Sequence, residues 1–330
     1  MKTWNETADV LAGARDALAS GASCAIVILT SVRGSAYRRP GAKLLIREHG
    51  VIVGNVSGGC LENDLRERAL KAIQSGEQEL VHYNTGSDED IIWGLGLGCD
   101  GELDLLIVPL VADKKHTWLH EAIPLLEDND TVDLMWDLRT GTAQQPKIIR
   151  SGNGETSKGD FFIDRLEPPP ELVVVGAGDD AIPLVDQAAM AGMRVTVVDH
   201  RAGYLDPKRF PLARSIKKLR PDSAAGALPV DHRTMVVIKN HALKTDKDWA
   251  RFFDATAVKY IGILGPKKRG EQIREAMTSG RMERIYSPAG LDIGSEGAEQ
   301  IAMSVVAEMM SVWTGRPAGH LRDRAGAIHG

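Results

Sequence analysis

The stretch ELVVVGAGDDAIPLVDQAAMAGMRVTVVDHR, residues 171–201, constrains the chain more than any other. An apolar, β-branched run ends at Gly176, a helical pattern follows, and a second β-branched run ends at Asp199, all within about 30 residues. Gly176, Gly178 and Ala181 form G-x-G-x-x-A. That spacing supplies the tight turn, the close backbone approach and the close helix packing that a phosphate at a helix N-terminus requires. Asp199 follows roughly 20 positions on, where a ribose-binding carboxylate belongs.

Later segments, MVVIKNH, VKYIGILG and KKRGEQIREAMTSG, repeat the alternation of strand and helix, so residues 171–315 read as a Rossmann-like, doubly wound parallel sheet. The helix EGAEQIAMSVVAEMMSVW closes it, with Met303, Met309 and Met310 read as core filler, and residues 316–330 read as a tail. Two details complicate a plain NAD reading. Asp179 and Asp180 put negative charge at the helix start, which suits an empty helix and opposes an anion. His200 and Arg201 follow Asp199, as a holder for a phosphate or pterin-type anion or as a solvated pair.

The first half has a different texture. CAIVILTSV reads as a buried strand, RGSAYRRPG as a loop, and AKLLIRE, GVIVGNVS, ELVHYN and ELDLLIVPL as further strands, with a helix from Glu62 to Ala72. This is an α/β domain over residues 1–165. A polar segment, SGNGETSKGD, and the stiff Pro168-Pro169-Pro170 mark the boundary.

A chain of 330 residues with a formal net charge of -5 carries no electrostatic footprint for nucleic acid. Its N-terminus lacks the pattern of a signal peptide, and no apolar run reaches the roughly 20 residues that span a bilayer. A cytoplasmic protein without membrane contact is expected. Three cysteines, Cys24, Cys60 and Cys99, with no CxxC pair, exclude a secreted disulfide framework and a zinc site of that type.

Cys60 is the thiol with a chemical setting. SGGC opens the helix that follows, and a cysteine one or two residues into a helix meets unpaired N–H groups that favour thiolate. Burial as simple packing is the alternative, but Gly58 and Gly59 admit a bulky ligand to the backbone where an inert packing residue needs none. Glu62 and Asn63 read either as groups that orient the thiol or as solvated helix residues. Cys99, in GLGLGCDGELD, is a second thiol in a glycine-rich loop, and Cys24 reads as core. Arg33, Arg38, Arg39 and Lys43 cluster around GSAYRRPGAK, as forked donors for an anion or as a solvated basic loop.

Taken in order, GSAYRRPGAKLLI, GNVSGGCLE, GCDGELDLLI, VVVGAGDDAIPL with VTVVDHR, YIGILGPKKR and SPAGLDIGSEGAEQIAMSVVAEM resemble the XdhC/CoxI family. These are accessory proteins of xanthine dehydrogenase and related molybdenum hydroxylases. The resemblance implies an N-terminal XdhC-type domain, a C-terminal Rossmann-like domain and a homodimer. It implies a chaperone that binds the molybdenum cofactor, as molybdopterin or its cytosine dinucleotide form. Such a chaperone protects the cofactor while a cysteine desulfurase supplies sulfur, then delivers it to the hydroxylase. Carried over by position, Cys60 is the cofactor or sulfur contact, accompanied by Ser57, Gly58, Gly59 and Glu62, with Arg38, Arg39 and Lys43 as the basic loop. Cys99, Gly176, Gly178, Asp199 and His241 complete the expected cofactor-binding set. The chain departs from the family pattern at Asp179, where a histidine is common, at Lys239-Asn240-His241 in place of a Thr-His pair, and at Cys99-Asp100-Gly101 in place of Cys-Gly-Gly.

Two other function classes fit parts of the sequence. One is an NAD(P)-dependent oxidoreductase using Asp199 for ribose, against which stands the lack of a catalytic pairing such as Tyr-x-x-x-Lys. The other is a non-catalytic adaptor, to which Asp179 and Asp180 lend support.

Overall fold

The computed structural model describes residues 2–34, 36–50, 52–84, 101–128, 130–150 and 159–325. They form two compact units, one within Lys2–Pro168 and one within Pro169–His320.

The first unit comprises α1 (Lys2–Ala19), β1 (Cys24–Gly34), β2 (Lys43–Arg47), β3 (Ile52–Gly54), α2 (Glu62–Ser75), β4 (Glu77–Asn84) and β5 (Gly101–Leu110). Then follow α3 (Thr117–Glu127), β6 (Val132–Asp137), β7 (Gly141–Thr142), β8 (Lys147–Arg150) and β9 (Phe161–Leu166). An antiparallel sheet runs in the order β3-β2-β1-β5-β4-β7, and β8-β6-β9 form a second one. Successive residues of a strand face opposite ways. Cys24, Ile26 and Ile28 therefore pack with α1, α3 and β6, while Ala25, Val27 and Leu29 pack with α2. Burial on both faces is why β1 reads as an unbroken apolar run. α1 buries Val10, Leu11, Ala14 and Ala17, the i, i+1, i+4, i+7 stripe of an amphipathic helix.

The segment taken from sequence as the polar seam ends in a strand. β9 pairs with β6 along its length and places Leu166 in the core. Its Asp164, which breaks the apolar pattern, is buried against Lys43 of β2.

The second unit comprises β10 (Glu171–Val175), α4 (Ile182–Met190), β11 (Arg194–Asp199), β12 (Ser215–Lys218), β13 (Thr234–Ile238), α5 (Leu243–Asp254), β14 (Tyr260–Ile263), α6 (Lys267–Arg274), β15 (Ile285–Tyr286) and α7 (Gly297–Thr314). The strands are parallel in the order β12-β11-β10-β13-β14-β15. Helices α4 and α7 cover one face, and α5 and α6 the other. This is the doubly wound sheet expected from sequence, and its order reverses between β10 and β13. In such sheets ligands bind outside the carboxyl ends of the strands at that reversal. In α7, Met309 is buried, but Met303 and Met310 are 57% and 40% exposed, which corrects the expectation of three core methionines. The helix has one buried stripe, and these two lie off it. Among the described residues no helix is long and apolar enough to cross a membrane.

Candidate functional site

In the first unit the loop from Ser57 to Leu61 presents Gly58, Gly59 and Cys60 to solvent. α2 begins only at Glu62, so Cys60 precedes the helix instead of lying inside it. The reason is local. The Ser57 hydroxyl accepts hydrogen bonds from the amides of Gly59, Cys60 and Leu61 and donates to Glu62 Oε2 at 2.6 Å. The Glu62 carboxylate also accepts from the Ser57 and Leu61 amides. Ser57 and Glu62 thus point into the loop and satisfy its backbone, so their role is to hold the thiol's platform. Gly59 stands at φ +106, and a Cβ there would meet no atom of the described residues within 4 Å. The residue is required for its backbone angle, which glycine adopts without strain. Among the described residues, a Cβ on Gly58 would meet only Tyr37, which is 63% exposed.

Tyr37 belongs to the basic loop, so the structure brings that loop and the thiol loop together. Arg33 is exposed and bonds Glu102 at 2.8 Å, whereas Arg38 and Lys43 are turned inward. Arg38 bonds Glu6 and Asn55 through its guanidinium. Lys43 is buried, its ammonium on Thr7 Oγ1 at 3.0 Å, Gly41 O at 2.9 Å and Asp164 Oδ2 at 2.5 Å. Thr7 and Gly41 accept two of its N–H donors, and the Asp164 carboxylate balances its charge. Lys43 is therefore an internal anchor and not an anion ligand, a correction to the sequence expectation. Arg39 is exposed. Cys24 is buried, and burial, opposed by Arg47, pushes its thiol up to about 12, so it is an inert core residue. Cys99 lies outside the described residues.

In the second unit the glycine turn sits at the carboxyl end of β10. Gly176 has φ +111, and a Cβ would fall 2.6 Å from the carbonyl oxygen of Lys239 at the end of β13. Only glycine allows that approach. Asp199, expected to bind ribose, is already saturated. Its carboxylate accepts from the Ala177 amide at 2.8 Å, the Arg201 amide at 2.8 Å and the Arg201 guanidinium at 2.8 and 3.0 Å. Burial opposes its charge, yet the Arg201 side chain and the two amides outweigh it and bring the carboxyl down to about 2. Asp199 thus braces the turn from below.

Above the turn, Asp180 meets Lys239 Nζ at 2.5 Å and His241 Nε2 at 3.2 Å. His241 adopts φ +61, a left-handed angle uncommon outside glycine, and its ring lies on Asp180. Burial works against the charge of both partners. Lys239 is held below the usual lysine range, whereas Asp180 stays below the usual carboxylate range because Lys239 and His241 outweigh desolvation. Asp179 reaches the other way, to Arg209 at 2.7 Å. Of the expected residues, Gly176, Gly178, Asp199 and His241 do converge at this sheet end. Asp180 and Lys239 are central to it as partners, which sequence showed only as an odd charge and a departure from pattern.

The XdhC and CoxI family model matches residues 8–84, and the XdhC Rossmann domain model matches residues 172–309. The chain belongs to the XdhC and CoxI family. A probable xanthine dehydrogenase subunit of Bacillus subtilis is 29% identical over 313 residues, spanning 86% of this chain and 92% of that protein. The molybdenum cofactor insertion chaperone PaoD of Escherichia coli is 27% identical over 313 residues, spanning 92% and 87%. A crystal structure of a xanthine dehydrogenase from Bacillus halodurans superposes with a TM-score of 0.81 at 28% identity, covering 94% of this chain and 96% of that one. Lys239, one of the expected departures, faces Asp180 across the turn.

Proposed function

We propose that this chain is an XdhC-type accessory protein that holds the molybdenum cofactor at the Cys60 loop and passes it to a molybdenum hydroxylase. The observation that carries the reading is the exposed thiol beside two exposed glycines, in a loop whose backbone is satisfied from below. The names of the Bacillus subtilis and Escherichia coli relatives support it. The residues fit such a group: a sulfur ligand suits a soft metal centre, bare glycine backbone admits a flat ring system, and Tyr37 offers an aromatic edge beside it. When bound, the cofactor supplies the metal and its pterin dithiolene. The chain's own residues position and shield: Ser57 and Glu62 fix the loop, Cys60 offers its sulfur, and Arg39 stands on the neighbouring loop. In this reading a cysteine desulfurase is a second partner, the assembly is a homodimer and the compartment is the cytoplasm.

The test is pterin content. Protein purified from a host that makes the cofactor is oxidised and its pterin fluorescence read, with Cys60→Ser alongside. A wild-type signal that falls several-fold in the variant, with unchanged circular dichroism, is expected. Equal loading in both, or none in either after cofactor is added, sinks the proposal.

A further inference from the structure

In the first unit a cleft of about 390 Å³ lies where the C-terminal end of α1 meets the turn from β5 into α3. Ligand pockets start at roughly 300 Å³, so the cleft has room for one small molecule. It stands apart from the Cys60 loop. Arg38, on the basic loop beside that thiol, bonds Glu6 near the start of α1, and Leu18 in the cleft wall lies about 18 Å further along the helix axis.

The chain has a formal net charge of -5, yet every charged side chain that lines this cleft is basic. Arg15, Lys114 and Lys115 carry permanent positive charge, and His116 and His120 add two imidazoles. Asp16 takes the Nε and Nη2 side of the Arg15 guanidinium at 3.1 and 3.0 Å, which leaves the Nη1 donors. Lys115 and His120 are exposed, with no ion pair among the described residues. The start of α3 adds charge of the same sign. A helix start is partly positive through its unpaired N–H groups and ordinarily receives an acid or a hydroxyl cap. Here His116 at the cap makes no side-chain cap hydrogen bond, no acid stands in the first turn, and two lysines precede it. The His116 ring places Nε2 on the Val111 carbonyl at 2.9 Å, while its Nδ1 is buried without a partner among the described residues. A bound oxyanion compensates the lysines, the arginine and the helix start together. Leu18, Ala19, Ala112 and Leu119 make the rest of the wall aliphatic, and no phenyl, phenol or indole ring lines it. Such a wall suits a short carbon frame and offers no aromatic face for a flat ring system.

We infer that this cleft binds a small non-aromatic polyanion, with two or more carboxylate or phosphate groups, that bridges the end of α1 to the start of α3. The planar donors of Arg15 take one anionic group from the α1 side, and Lys115 with the α3 N–H groups takes another. No residue of the Cys60 loop takes part, so this site goes beyond the cofactor reading and stands or falls without it.

The experiment is calorimetric titration of the full chain, at low salt near neutral pH, with citrate, with pyrophosphate and with acetate. Saturable binding of citrate or pyrophosphate at one per chain is expected, with singly charged acetate about tenfold weaker or more. Citrate alone identifies a polycarboxylate site, and pyrophosphate alone a phosphate site. Arg15→Gln with Lys115→Gln should weaken the bound polyanion about tenfold or more. Cys60→Ser, and Lys267→Gln with Lys268→Gln on an exposed stretch of the second unit, should leave it unchanged. If the Arg15 variant fails to fold, Lys115→Gln with His120→Gln, both exposed positions, decides. No saturable binding of either polyanion, binding that the cleft variant leaves unchanged, or an equal loss in the Lys267 and Lys268 variant overturns the inference.

Discussion

Asp199 is pulled in two directions, and the balance has a pH signature. Burial penalises its charge, but Arg201 and two backbone amides lower its pKa from 3.8 to about 2 in the folded protein. A depressed folded pKa contributes stability that is present above the unfolded value and is lost as pH falls through the folded one. For this group that amounts to about 2 kcal/mol, lost between about pH 4 and pH 2. Asp199→Asn should therefore lower Tm at pH 7 and converge on the wild type near pH 2. A Tm difference that does not change across that range would show that the ionised carboxylate contributes no net stability. The thiols make the same point about environment. Cys24 and Cys60 are one residue type, yet one is sealed in a core and the other stands on open glycine backbone. The flanking Gly58 and Gly59 made Cys60 legible in the sequence. The inward turn of Ser57 and Glu62 was not, because a serine before two glycines has no local signal for which amides it will accept.

At the scale of elements, Lys43 on β2 and Asp164 on β9 join strands 121 positions apart across the first unit. Burial raises the Asp164 carboxyl, and Lys43 counters it. Removing one partner leaves the other charge buried, at a cost of about 3–5 kcal/mol. Lys43→Met should lose that much by urea unfolding, and Lys43→Met with Asp164→Leu should recover most of it. A single variant within about 0.5 kcal/mol of wild type would show that the pair is not truly desolvated. In sequence, Lys43 sat among arginines and looked like an anion ligand. Nothing within its own segment announces a carboxylate on a distant strand. β9 was obscured for the same reason, since Asp164 and Arg165 interrupt a pattern that makes sense only once Lys43 is opposite.

At the scale of the molecule, each unit has its own pair of hydrophobic clusters on the two faces of its main sheet. Separate cores predict separate transitions. Scanning calorimetry of the full chain should resolve two unfolding steps, and residues 169–320 expressed alone should unfold cooperatively at one of those two temperatures. A single transition together with an unfolded fragment would contradict this. The sequence by itself determined the parallel sheet, because G-x-G-x-x-A between two β-branched runs encodes a turn, a helix and a crossover within one local segment. It also singled out Cys60 through two adjacent glycines, but set it inside a helix that begins only at Glu62. The tertiary structure alone decided what the charged residues do. Asp199 became a brace for the turn, Lys43 an anchor, and Asp180 with Lys239 a matched pair above the glycine turn. A charge takes its role from the partner and the desolvation it meets, and those partners lie tens of residues away in the chain.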